Sequence, residues 1–212
     1  MIPFKKAFLK KGYLLLIVTA LSCNSFAQNW DINLLKNINP QNPNSSVWKA
    51  ATSSAYPISI GIPVGMWVVS KINNDKNTEL KSYEIAGSVI IAAVMTEGLK
   101  VVVNRQRPYI KYPLDIHPYD NSEQGKSFPS AHTSLAFATA TSLSLECKKW
   151  YIVVPAYAWA AGVGYSRLYQ GEHYPSDVMA GAAVGAGSAF LCHWLNKKFI
   201  HLNNEQTLNT IN

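Results

Sequence analysis

Residues 166–195 read SRLYQGEHYPSDVMAGAAVGAGSAFLCHWL, and the stretch falls into two unlike halves. From Ser166 to Asp177 it is polar and carries Arg167, Glu172, His173 and Asp177. From Val178 to Leu195 it holds no Asp, Glu, Lys or Arg. The second half lacks the every-other-residue alternation of a half-buried strand, so it predicts a helix. Pro175 suits the first turn of that helix, where a missing N–H is no loss. Gly181, Gly185 and Gly187, with Ala180, Ala182, Ala183 and Ala186, give it a face of small residues that a neighbouring helix can approach closely.

Working outward, four more apolar stretches share this character: Ala55–Ser70, Tyr83–Val103, Ala131–Leu145 and Trp150–Tyr165. The fold class is therefore all-α, a bundle of five helices. Only 15% of the residues are charged, where soluble domains have about a quarter. That deficit fits either an unusually large helical core or several membrane spans. A span needs about 20 residues, a length that Tyr83–Val103 and Val178–Leu195 reach and the other three do not. The lysines favour a membrane. Lys71, Lys76 and Lys81, then Lys148 and Lys149, then Lys197 and Lys198 all stand beside helix ends that would share one side, as the positive-inside rule expects. The loops Arg105–Ser130 and Ser166–Asp177 then share the outer side. A soluble bundle with lysine-bearing turns is the alternative.

The first residues read as a leader. Lys5, Lys6, Lys10 and Lys11 precede an apolar run, Tyr13–Leu21, and Ser25-Phe26-Ala27 is a small-x-small pattern before Gln28. Residues 1–27 are a signal peptide, or a signal anchor that makes a sixth helix. Residues 28–54 form a polar outer surface segment with one short helix near Ile32–Leu35, residues 55–197 the helical domain, and residues 198–212 a polar tail. Cys23 falls in the leader. Cys147 and Cys192 have neither a disulfide framework nor metal-ligand spacing around them and read as packing residues.

Chemistry concentrates on the outer side. Lys100 and Arg107 are seven residues apart, which on a helix returns to one face about 10 Å further along the axis. Lys100 taken alone reads more readily as a lysine snorkelling to the interface than as a site residue. Ser130 follows Pro129 and suits the N-cap of the helix from Ala131, whose unpaired backbone N–H groups favour an anion. His132 stands in its first turn. His173 and Asp177 lie four residues apart, where a carboxylate can fix the imidazole tautomer. Each element also has a structural reading: an ordinary capped helix, a surface histidine, a structural hydrogen bond. The net charge of +7 does not point to nucleic acid, because most lysines sit in short turns on the other side rather than on one broad face.

Taken together, the three elements resemble the signature of the type 2 phosphatidic acid phosphatase superfamily. Lys, six residues, then Arg-Pro is met by Lys100 and Arg107-Pro108. Pro-Ser-Gly-His is met by Pro129-Ser130-Ala131-His132, with alanine for glycine. Ser-Arg, five residues, His, three residues, Asp is met by Ser166-Arg167, His173 and Asp177. The resemblance spans roughly residues 55–195. It implies a metal-independent phosphatase without a cofactor, acting on a phosphorylated lipid in a bacterial inner membrane with its site facing the periplasm. His173 would attack phosphorus, Asp177 orient it, and His132 protonate the leaving oxygen. Lys100, Arg107, Arg167, Ser130 and the backbone at Ala131 would hold the non-bridging oxygens. The loop 109–126 would help choose the lipid. Alanine at 131 matters only if that position needs a positive φ. The rival functions are a soluble periplasmic acid phosphatase, a vanadium haloperoxidase and a non-catalytic lipid-phosphate binder.

Overall fold

The computed structural model describes residues 24–120 and 125–209, with helices and no strands among them. In chain order the helices are α1 (Asn24–Ile38), α2 (Ser46–Asn73), α3 (Lys76–Val103), α4 (Pro108–Lys111), α5 (Ala131–Cys147), α6 (Trp150–Tyr169) and α7 (Pro175–Asn209). The five expected apolar helices are present as α2, α3, α5, α6 and α7. Apart from its last four residues, which open α1, the expected leader lies outside the described residues. Within residues 28–54 the helix expected near Ile32–Leu35 is part of the longer α1, and the start of α2 takes up the last nine residues; Asp31, Ile32 and Leu35 are buried, while most of the other described side chains are exposed or half-buried. Helix α7 likewise runs on through residues read as a tail.

Local chemistry sets the helix boundaries. Asp75 caps α3, its carboxylate accepting from the N–H groups of Asn77 and Thr78 at 3.0 and 3.2 Å. Asn74, Asn104 and Lys148 close α2, α3 and α5 in the left-handed region, at φ 53°, 51° and 48°. Asparagine adopts that conformation more readily than most residues.

A cluster of Ile32, Leu35, Tyr109, Ile116, Leu168 and Tyr174 forms an ordinary large-residue core, but between α2, α3, α5 and α6 the packing inverts the usual distribution of side-chain size. One core cluster is Ala55, Ala136, Ala140, Ala160 and Val163, and another is Ala92, Leu135 and Ala138. Larger apolar side chains face outward, among them Ile60, Val64, Ile90, Val94, Phe190 and Trp194. Such an exterior belongs in lipid rather than water. The stretches Ser46–Asn73, Lys76–Lys111 and Pro175–Lys198 are long and apolar enough to cross a membrane. Helix α2 therefore qualifies although its apolar stretch alone fell short, because it extends nine residues beyond Ala55 toward the N-terminus. Helix α5 is short and rich in Thr and Ser for a different reason. Ten of its seventeen residues are buried, so it sits inside the bundle and touches little lipid.

Helix α7 lies against α5 through its glycines. A Cβ on Gly181 would meet the Ser130 carbonyl oxygen at 2.6 Å, and one on Gly185 would collide with the Ser134 carbonyl oxygen. This contact fixes the first turns of α5 beside the first turns of α7. Gly185→Ala is expected to destabilise the protein by about 1–3 kcal/mol through overpacking and to lower activity, while Gly187→Ala, with nothing within 4 Å, should be neutral or slightly stabilising. Thermal unfolding in detergent compares the two, and equal effects would refute the packing role.

Candidate active site

Three segments meet at one end of the bundle, and backbone bonds join them. The Ser127 N–H donates to the Arg105 carbonyl at 2.9 Å, and the Ser130 N–H donates to the Asp177 carbonyl at 3.1 Å. The stretch 127–130 is thereby tied both to the end of α3 and to the start of α7.

His173 lies just before α7 and is 2% exposed. Its Nδ1 is 3.6 Å from Asp177 Oδ2, and its Nε2 is 3.4 Å from Arg107 Nη1. Burial disfavours charge on the ring and lowers its pKa to about 4; Asp177 opposes the fall, and Arg167 and Arg107 add to it. The imidazole is therefore neutral at pH 7 and keeps a nitrogen lone pair. Asp177 is itself fixed: its Oδ2 accepts from the Tyr174 N–H at 2.9 Å, and its Oδ1 accepts from Arg105 at 2.6 Å.

Arg107 and Arg167 are both buried beside the histidine. Arg107 donates to the Gly125 carbonyl at 3.1 Å and to the Glu172 carbonyl at 3.0 Å, and its Nη1 lies 3.2 Å from Glu172 Oε2. Arg167 donates to Gln170 Oε1 at 3.2 Å, and its Nη2 is 3.9 Å from the same Glu172 oxygen. Gln170 is held in turn by the Thr52 hydroxyl at 2.8 Å, from α2. Ser130 is fully buried at the N-cap of α5, but its hydroxyl does not cap the helix; it accepts from the Thr133 hydroxyl at 3.0 Å. Ala131 has no positive φ, so alanine is unstrained where the resembling signature has glycine. His132 packs edge-on against Tyr56, ring centroids 4.7 Å apart.

Lys100 requires a correction. Helix α3 ends at Val103, and Arg107 is extended, at φ −65° and ψ 151°. Lys100 and Arg107 are thus not on one helical face. Lys100 Nζ lies 3.0 Å from Glu97 Oε1 on its own helix, whereas the arginines surround His173.

Sequence reasoning missed several residues that hold the site. Arg105 links Asp177 to Asp31 of α1, at 2.8 Å from Asp31 Oδ2, and its guanidinium lies 3.8 Å over the Tyr174 ring. Asp31 also accepts from the Ser176 N–H at 2.8 Å. Asn39 clasps two loops, donating to the carbonyls of His117 and Tyr169 at 2.9 and 2.8 Å and accepting from the His117 N–H at 2.8 Å. Gly171, at φ +70°, packs under that clasp, where any Cβ would lie 2.8 Å from the His117 carbonyl oxygen. One signal for Glu172 was available: it is adjacent to His173 and follows Arg167 by five residues in the same loop.

The model of the PAP2 superfamily matches residues 83–201, which include all three segments. The chain belongs to the PAP2 superfamily. It is a multi-pass membrane phosphatase of that type. It is 31% identical over 162 residues to the bacitracin transport permease protein BcrC of Bacillus licheniformis, covering 74% of this chain and 75% of that one. It is 33% identical over 120 residues to an undecaprenyl-diphosphatase of Sulfolobus acidocaldarius, covering 55% of each. The crystal structure of Aquifex aeolicus LpxE superposes with a TM-score of 0.64 at 25% identity, over 77% of this chain and 94% of that one. Asp31, Asn39 and Thr52 lie before the region matched to the PAP2 superfamily, so this chain braces the superfamily's segments with residues from its own N-terminal part.

Asp31→Ala leaves Arg105 with one carboxylate partner in place of two. It is expected to cost about 2 kcal/mol, less than a fully buried pair because Arg105 keeps some contact with solvent, and to lower kcat/KM about 10-fold by loosening the Arg105 that positions Asp177. Unchanged activity and unfolding temperature would show that Asp31 does not brace the site.

Proposed function

We propose that this protein hydrolyses a phosphorylated membrane lipid, a monoester or diphosphate, through a phosphohistidine at the outer face of a bacterial-type inner membrane. The observation that carries the reading is a neutral, buried His173 set between Asp177 on one side and Arg107 and Arg167 on the other. Nδ1 keeps its proton toward Asp177, which leaves the Nε2 lone pair for phosphorus. As the N–P bond forms, the bond to the lipid oxygen breaks and His132 gives that oxygen a proton. His132 then takes a proton from water, the water oxygen attacks phosphorus, and the N–P bond breaks to release phosphate. Lys100, Arg107 and Arg167, with Ser130 and the backbone N–H groups at the start of α5, carry the charge on the non-bridging oxygens. Phosphoryl transfer depends mainly on such positioning and charge stabilisation.

The site's surroundings support a lipid. A cavity of about 280 Å³ beside Arg167 and Glu172 is lined also by Lys49, Thr52 and Tyr119. It has room for a phosphorylated headgroup, while acyl chains stay among the outward apolar side chains. The lysine-rich helix ends lie at the other end of the bundle, which supports an outward-facing site. The same apolar exterior weighs against a soluble acid phosphatase, which carbonate washing of membranes would release.

Phosphate release in EDTA from phosphatidic acid, phosphatidylglycerol phosphate, undecaprenyl diphosphate, lipid A and p-nitrophenyl phosphate tests the reading. One lipid should be hydrolysed, and His173→Ala should lose at least about 1,000-fold in kcat. Full activity in that variant would sink the assignment. The pH profile is a second test. A free histidine would lose its lone pair below about 6.5, but His173 protonates only near pH 4. The acid limb of kcat/KM that belongs to the nucleophile should therefore fall near pH 4, and stability should drop as pH falls from about 6.5 to 4, because the unfolded chain takes up that proton first.

A further inference from the structure

At the opposite end of the bundle, α3, α5 and α7 bring Glu84, Glu146 and His193 together. One ligand atom from each lies within 4.8 Å of the other two. We propose that these three side chains bind a divalent cation of the zinc type, at a site separate from the phosphatase chemistry. His193 stands sixteen residues beyond Asp177 on α7, and Glu146 fourteen beyond His132 on α5. At 1.5 Å per residue both spacings place the cluster roughly 21–24 Å along the helix axes from the active site.

The charges call for a cation. His193 Nδ1 is 2.5 Å from Glu84 Oε1 and 3.4 Å from Glu146 Oε1, so one nitrogen and two carboxylate oxygens converge. The Glu84 side chain is 4% exposed and that of Glu146 is 12% exposed, and two close carboxylates with so little solvent repel strongly. The lysine beside them does not neutralise either carboxylate through a hydrogen bond; Lys81 Nζ donates to the Glu146 backbone carbonyl at 3.2 Å. A divalent ion would balance both carboxylates and leave the imidazole neutral.

Donor type and support agree with this. Imidazole nitrogen with carboxylate oxygen is a zinc donor set, and three protein ligands leave one position for water. Asn196 Nδ2 donates to the outer oxygen of Glu84 at 2.6 Å, leaving Oε1 to point inward, as an outer-shell partner of a metal ligand does. The His193 side chain is 22% exposed, which gives an ion a path in. Such an ion would join three helices whose contacts are otherwise made largely by small side chains.

Zinc titration of the full-length, EDTA-treated protein in detergent tests the proposal. One Zn²⁺ should bind per chain, and a hundredfold excess over Kd should raise the unfolding temperature by about 5–10 °C. Glu146→Gln and His193→Gln should abolish the rise and keep phosphatase activity. An equal rise in the variants would overturn the site, and so would stability that responds to pH but not to zinc, the mark of a proton-bridged clamp. Zinc-edge absorption of the wild-type protein serves if the variants fail to fold: one imidazole with oxygen ligands is expected, and a sulfur ligand from Cys192 or an all-oxygen shell refutes the assignment.

Discussion

Asp31 and Asp177 are both buried, and two carboxylates in one poorly solvated region would repel unless a cation stood between them. Arg105 stands there, one nitrogen toward each. Its plane also rests on Tyr174, the residue next to His173. Because one oxygen of Asp177 is taken by this guanidinium, the other is turned toward the imidazole. The start of α7, the end of α3 and the N-terminal helix α1 are thereby coupled at a single ion, and that coupling fixes the carboxylate that faces His173, whose neutrality comes from burial.

The bundle brings these segments close by keeping its interior side chains small. Alanine, glycine, serine and threonine fill the contacts of α5 with its neighbours, so the helix axes can lie near one another. Several buried hydroxyls find partners, Thr139 on its own helix at the Leu135 carbonyl, 2.9 Å, and Thr96 across to the Ser134 hydroxyl, 2.9 Å, while those of Ser59 and Ser142 have none among the described residues. Bulky apolar side chains are left for the exterior, where lipid accepts them. Composition alone could not separate a large helical core from membrane spans, because both contain apolar helices. The direction in which the large side chains point does separate them.

Much of this was legible in the chain. The five apolar stretches became helices, and the spaced motifs around Arg107, Ser130 and His173 meet in space because short-range chemistry fixes each of them: an extended residue before Pro108, a helix start after Pro129, a tight turn at Gly171. What was not legible is non-local. Asp31 lies in a stretch rich in Asn, Pro and Ser, and nothing near it in sequence marks it as the partner of Arg105, 74 residues away. The Lys100–Arg107 spacing suggested a common helical face, but Asn104 turns into the left-handed region and breaks the helix between them. Helix α5 looked too short for a span because its surroundings are protein, and length is informative only where a helix faces lipid. The Glu84, Glu146 and His193 cluster draws one residue from each of three helices, so no local spacing announces it.

Glu172 places a carboxylate against both arginines that flank His173. The free protein therefore does not offer an open anion trap. On the proposed reaction, a phosphate would share Arg107 and Arg167 with a resident negative charge and be held less tightly than two uncommitted guanidiniums would hold it. On the same proposal, once the lipid has left and only inorganic phosphate remains, that carboxylate would compete for the same nitrogens. Such an internal competitor would weaken product inhibition at the expense of ground-state affinity, and it keeps two buried guanidiniums compensated.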